Sequence, residues 1–134
     1  MKLVQLVYAS RMPVRMALSE ILAIIDAAQR KNAKLGITGV MTFSDDAFLQ
    51  ILEGPRVAVN QLYAKLIADP RHADLTLLGY EEVAERRFSE WSMGFFIPDG
   101  DTHTTFDPYA ISLAGALNIL SNSEVLMNAA IPAI

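Results

Sequence analysis

The sequence predicts an α+β domain of the ferredoxin-like class, with the order β-α-β-β-α-β-β, two helices over one face of the sheet and a helical tail for the other. Three observations lead to this. Short runs rich in Val, Leu, Ile and Phe have strand character and are bounded by turn residues. Two longer stretches between them repeat their apolar residues at helical spacing. The alternation of these segments is that of a sheet layered with helices. At 134 residues the chain is expected to form one domain with a sizeable core.

Residues 3–9, Leu-Val-Gln-Leu-Val-Tyr-Ala, read as a buried first strand; the run is too short, and too interrupted by Gln5, for a signal peptide. Pro13 is expected to open a helix with Leu18, Ile21, Leu22, Ile25 and Ala28 on its buried stripe. Arg30, Lys31 and Lys34 crowd its end, where the helix dipole favours cations, and Gly36 is its stop. Ile37 to Phe43 and Phe48 to Leu52 then form a hairpin around Ser44-Asp45-Asp46.

Glu53-Gly54-Pro55 is expected to break that strand, with Pro55 in the first turn of a second helix. Val59, Leu62, Tyr63 and Leu66 mark the helix's apolar stripe, and Pro70 ends it. Leu75 to Val83 and Trp91 to Ile97 read as the last two strands, with Arg86-Arg87 near the turn between them. Residues 107–130 look helical, with a break at Asn118 to Asn122, and carry only Asp107 and Glu124 as charges. The expected division is a ligand-binding domain over 1–97 and a helical extension over 98–134 that packs on the sheet.

Composition narrows the function. Apolar residues make up 52% and charged residues 19%, which fits a globular domain with some surface covered by a ligand or partner. The net charge of -4 argues against a nucleic-acid partner. The absence of cysteine excludes disulfides, thiol catalysis and thiolate metal sites, and fits a cytoplasmic location. No metal site is expected, and no stretch has the length and apolarity to cross a bilayer.

The informative residues are polar ones in apolar patterns. Phe48, Gln50 and Leu52 share one strand face, so Gln50 is an amide between two large apolar side chains. Asn32 extends the first helix's stripe, seven residues past Ile25. Tyr8 shares a face with Val4 and Leu6. Each group needs a partner if buried, and they could satisfy one another. In this layout the first and third strands can be neighbours in the centre of the sheet, with the first helix packed over them. Tyr8, Gln50 and Asn32 could then line one crevice that suits a flat heteroaromatic ligand.

The chain resembles the BLUF family, flavin-binding blue-light sensors. The segments that carry the resemblance are Leu6-Val7-Tyr8-Ala9-Ser10, Asn32 with Leu35-Gly36-Ile37-Thr38-Gly39, Phe48-Leu49-Gln50-Ile51-Leu52-Glu53-Gly54, Asp69-Pro70-Arg71-His72 and Trp91-Ser92-Met93-Gly94. The resemblance implies a photoreceptor, not an enzyme, with FAD held non-covalently between the two helices. It implies that Tyr8 donates an electron and a proton, that Gln50 rearranges, and that a modestly red-shifted state results. Asn32 matches the position that holds the ring edge. Lys31, Asp69, Arg71 and His72 match positions near the ring or ribityl phosphate, and Lys65 one that is often basic. Ile24, Ile25 and Phe48 would supply apolar walls. Trp91 and Met93 match a strand that transmits the signal, either one turned toward Gln50.

These outer residues also have plain structural roles. Asp69-Pro70-Arg71 is an ordinary helix stop, Lys31 and Lys65 are ordinary surface charges, and a tryptophan with a methionine is ordinary core. With only a short, weakly charged tail after residue 97, no cyclase or phosphodiesterase is expected in this chain. A homo-oligomer contact or a separate protein partner would take the signal. Two rivals remain: a small acyl-phosphate hydrolase on the same fold, and a ligand-free assembly subunit. The basic run Ala9 to Arg15 lacks the glycine-rich cradle that the hydrolase would need.

Overall fold

The structure, a computed structural model, describes residues 2–44, 46–89, 92–96, 107 and 110–122. Its elements are β1 (Leu3–Arg11), α1 (Leu18–Leu35), β2 (Thr38–Ser44), β3 (Ala47–Pro55), α2 (Arg56–Ala68), β4 (Ala73–Val83), β5 (Gly94–Phe96) and α3 (Leu113–Asn122). The sheet order is β4-β1-β3-β2-β5. β1 pairs antiparallel with β3 and β4, β2 antiparallel with β3, and β5 parallel with β2. This is the ferredoxin-like α+β arrangement that the sequence predicts.

β1 is apolar on both of its faces, Gln5 and Ser10 apart, because both faces are covered: Val4 through Ser10 are all buried. Val4, Leu6 and Tyr8 face α1 and α2 in one core, with Ile21, Ile25, Met41, Phe48, Leu52, Val59 and Met93. Val7 and Ala9 face the other way, into a second core with Val40, Leu49, Ile51 and, from α3, Ala116 and Leu120. The register that places Tyr8 opposite Gln50 is therefore fixed, since slipping it by one residue would exchange the two cores.

Several boundaries differ from the sequence expectation. α1 begins at Leu18, not at Pro13. β1 runs to Arg11 and the Met12 N–H donates to the Asp46 carbonyl at 2.6 Å, which holds the chain at the sheet end before it can turn. The Glu20 carboxylate, accepting from the Ala17 N–H at 3.1 Å, marks the real start. Leu18 is consequently half-exposed rather than part of the stripe, which is Ile21, Ile25, Gln29 and Asn32. The helix ends as expected at Gly36, whose φ of 72° is the left-handed conformation that glycine tolerates.

Glu53-Gly54-Pro55 does not break β3, because all three residues pair with Gln5, Val4 and Leu3 of β1. Gly54 marks a close approach: a Cβ there would lie 2.9 Å from the Gly36 carbonyl oxygen. Pro55 is the cap before α2 rather than its first residue. The expected break at Asn118 to Asn122 is also absent, since α3 runs through those positions. The expected domain boundary at 97/98 and tail residues 123–130 lie outside the described residues, as do Trp91 and His103.

Glu53 has a specific role in this frame. It is fully buried, and its carboxylate accepts from Gln5 Nε2 at 3.0 Å and from the N–H groups of Arg87 and Phe88 at 2.9 and 2.7 Å. Arg86 Nη1 donates to the Glu53 carbonyl at 3.1 Å and to Thr38 Oγ1 at 2.9 Å. Partners on this scale make a buried carboxylate tolerable, and they anchor the segment that leaves β4. Among the described residues, no helix is long and apolar enough to cross a membrane, and no cluster of metal-ligating side chains occurs.

Candidate functional site

Tyr8 and Gln50 are directly opposite each other on β1 and β3, so their side chains rise from the same face of the sheet. The Tyr8 hydroxyl donates to Gln50 Oε1. On the other side of the amide, Gln50 Nε2 donates to Met93 Sδ at 3.2 Å. Of the two residues that could face Gln50, Met93 does so. Tyr8 is fully buried and Gln50 nearly so, which makes this a buried polar chain in an apolar wall.

The chain borders a cavity of about 280 Å³ between the sheet, α1 and α2. Its lining includes Tyr8, Ile24, Ile25, Lys31, Asn32, Phe48, Gln50, Lys65, Asp69, Arg71, His72 and Met93. Every described residue that the sequence singled out thus reaches one cavity. Its volume is near the lower end of ligand pockets, roughly 300–1,000 Å³. Met16, Leu62, Leu66 and Met41 add apolar wall, while Lys31 and Lys65 line it and remain exposed.

Asn32 does more than line the cavity. Its Nδ2 donates to the Ser92 carbonyl at 2.9 Å, so this amide already ties α1 to the approach of β5. Arg71 is paired with Asp69 through Nε at 3.0 Å and Nη2 at 2.5 Å. That hydrogen-bonded ion pair holds the Asp69 carboxyl at about 2, well below the usual carboxylate range, and raises the Arg71 guanidinium.

Burial, reinforced by Tyr63 and Asp69 nearby, pushes the Tyr8 phenol well above its ordinary range. It is a neutral donor, as its bond to Gln50 requires. Burial likewise raises Tyr63, whose ring lies 6.1 Å from that of Tyr8. His72 stands at the cavity end of the same cluster, 5.1 Å from the Phe48 ring and edge-on to Tyr8 at 6.0 Å. Its Nδ1 is 2.7 Å from Ser10 Oγ.

Burial lowers the His72 pKa, an effect that Asp69 opposes and Arg71 supports. His72 should therefore titrate below the ordinary value of 6.5. Histidine ring resonances followed by NMR against pH check this; a midpoint at or above that value overturns it. The unfolded chain takes the proton first, so this group makes stability fall as pH drops below the unfolded value, until folded His72 is protonated too.

Sequence reading missed Gln29, Ser10 and Met41 as neighbours of the site. Gln29 was accessible by the argument used for Asn32, since it follows Ile25 by four residues on the same stripe. Ser10 and Met41 carry no comparable signal, because a serine or methionine in a buried strand is unremarkable until its neighbours are known.

Comparisons with known proteins agree with the geometry. The family model described as sensors of blue-light using FAD matches residues 3–94. Photoactivated adenylate cyclase subunit beta of Euglena longa is 37% identical over 92 residues, 68% of this chain but 11% of that protein. The blue light- and temperature-regulated antirepressor BluF of Escherichia coli (strain K12) is 31% identical over 94 residues, 70% of this chain and 23% of that one. These relatives are thus several times longer than the stretch they share with it.

Among solved structures, the photo-activated state of BlsA matches with a TM-score of 0.83 and 29% identity, over 92% of this chain and 98% of that one. Its ground state matches with the same TM-score, over 92% and 91%. A dark-state structure of the BLUF protein BlrB gives 0.69 and 36% identity, over 72% and 73%. The chain belongs to the BLUF family of blue-light sensors using flavin.

Proposed function

We propose that this chain is a blue-light photoreceptor in which bound FAD is read by Tyr8, Gln50 and Met93. The observation that carries the proposal is the hydrogen-bonded run from the Tyr8 hydroxyl through the Gln50 amide to Met93 Sδ along one wall of the cavity. The donor set suits a flavin. Ile24, Ile25 and Phe48 offer apolar walls for a flat ring, and the Asn32 and Gln50 amides match ring carbonyls and nitrogens. Asp69, Arg71 and His72 line the same cavity and offer polar groups that would hold a ribityl chain. Lys31 and Lys65 add cations for phosphates, which favours FAD over riboflavin.

Bound flavin supplies the chromophore and, once excited, a strong electron acceptor. Tyr8, neutral and desolvated, would be the group placed to give such an acceptor both its electron and, by way of the bond to Gln50, its phenolic proton. The Gln50 amide is already bonded at both its oxygen and its nitrogen, so either bond lost changes the other's geometry. Rotation or tautomerisation of Gln50 would then alter what its amide presents to the cavity and to Met93. Two packings of the strand segment that carries Met93 would supply the bistable element of a switch.

The signal passes from β5 to the tail and on to a second copy of the chain or a separate protein partner. The motivating observation is that α3 packs Ala116 and Leu120 into the same core as Val40 of β2, the strand that pairs with β5. Hydrogen exchange over residues 110–122 should differ between dark and light; identical patterns count against this route.

The hydrolase rival loses ground at Arg11, one of the two arginines in its basic run, which here ends β1. Arg11 Nη1 donates to both carboxylate oxygens of Asp46, at 3.2 and 3.0 Å, and Asp107 lies 3.8 Å from its Nη2. Purified protein reconstituted with FAD should be yellow and shift to the red under blue light. Protein that stays colourless with FAD, or a flavin spectrum unmoved by light, overturns the proposal.

A further inference from the structure

Gln29 is a large amide on a buried stripe, and the cavity wall does not include it. It lies one turn before Asn32 on the same face of α1. Gln29 Nε2 donates to the Met93 carbonyl at 2.7 Å, and Asn32 Nδ2 to the Ser92 carbonyl at 2.9 Å. Two consecutive carbonyls at the approach to β5 are thus gripped by two amides from one helix.

Met93 is the residue that matters here. Its sulfur accepts from Gln50 Nε2, while its own carbonyl accepts from Gln29. The side chain is bonded to the residue that reads the chromophore, and the backbone to a helix that forms the cavity's opposite side. Met93 is fully buried, so losing the Gln29 bond costs its carbonyl a partner in a shielded position.

We infer that Gln29 is a positioning residue of the photoswitch: by holding the Met93 carbonyl it keeps the methionine sulfur against Gln50 and so favours the resting arrangement over the lit one. The inference rests on the photoreceptor reading above. Asn32 cannot substitute for Gln29 in this role, because its own donor is on the neighbouring carbonyl and it also faces the cavity. Gln29 touches the switch only through Met93, so it should affect the lifetime of the lit state more than flavin binding or the size of the red shift.

Gln29→Met tests this. Methionine keeps the length and apolar stem of the side chain and suits a helix, but cannot donate. The variant should bind FAD and shift to the red as the parent does, and should return to the dark state more slowly. The expected slowing is roughly fivefold, the rate equivalent of losing one ordinary neutral hydrogen bond to the resting arrangement. Ile21→Val, a buried change eight residues before Gln29 on the same helix and outside the cavity lining, controls for general loosening of the shared core and should recover at the parent rate.

A second readout reports on the bond itself. With carbonyl-carbon-labelled methionine, the Met93 band in the light-minus-dark infrared spectrum, identified by its loss in Met93→Leu, should move in Gln29→Met. Recovery at the parent rate or faster, an unmoved band, or an equal slowing in Ile21→Val overturns the inference. A parent protein without flavin or without a red shift would instead overturn the photoreceptor reading, so the two failures are distinct.

Discussion

Tyr8→Phe should bind flavin as the parent chain does and form no red-shifted state under blue light. The substitution removes one oxygen from a side chain that is fully buried, so the ring's packing among Phe48, Met41 and Tyr63 is retained. What is lost is the phenolic donor to Gln50 and the oxidisable group beside the cavity. The orphaned Gln50 Oε1 should cost roughly 1–3 kcal/mol of stability, which a cooperative domain of this size survives. Absorption spectra before and after illumination check the outcome, and flavin emission should be longer-lived in the variant because its quencher is gone. A red shift of normal size in Tyr8→Phe would remove the tyrosine from the mechanism, whatever the geometry.

Much of this arrangement was legible in the sequence because it follows from periodicity. Phe48, Gln50 and Leu52 alternate onto one face of β3, and a helix period carries Ile25 on to Asn32. An amide at either position is conspicuous because burial there needs a partner. The limits of the reading are equally physical. Gly54 and Pro55 look like strand breakers, yet Gly54 is where the end of α1 crosses β3 too closely for a side chain. Pro13 looks like a helix start, but the chain is first tied to the hairpin through Met12 and Asp46. Both are tertiary contacts, and local propensity does not report them. The same holds for Met93: that its sulfur reaches Gln50 depends on how β5 pairs with β2, a parallel pairing that joins segments more than fifty residues apart.

Gln50→Leu should also abolish the light response, for a different reason. Leucine is close in size to glutamine and matches its apolar neighbours on the strand face, so the fold and the cavity walls should persist. It offers neither acceptor nor donor. Only a side chain with both on one planar group can take the Tyr8 proton's hydrogen bond and donate to Met93 at once. The Tyr8 hydroxyl, fully buried, is then left without its acceptor, again at a cost of roughly 1–3 kcal/mol in stability. Flavin should remain bound, because Asn32, Asp69, Arg71 and the apolar walls are untouched. Tyr8 remains in place as an electron donor, so flavin emission should stay more strongly quenched than in Tyr8→Phe while the red shift disappears. Those two variants then separate the electron source from the group that records its passage. If Gln50→Leu instead gives a normal red-shifted state, the amide is only packing, and Met93 receives its signal by some route that does not cross residue 50.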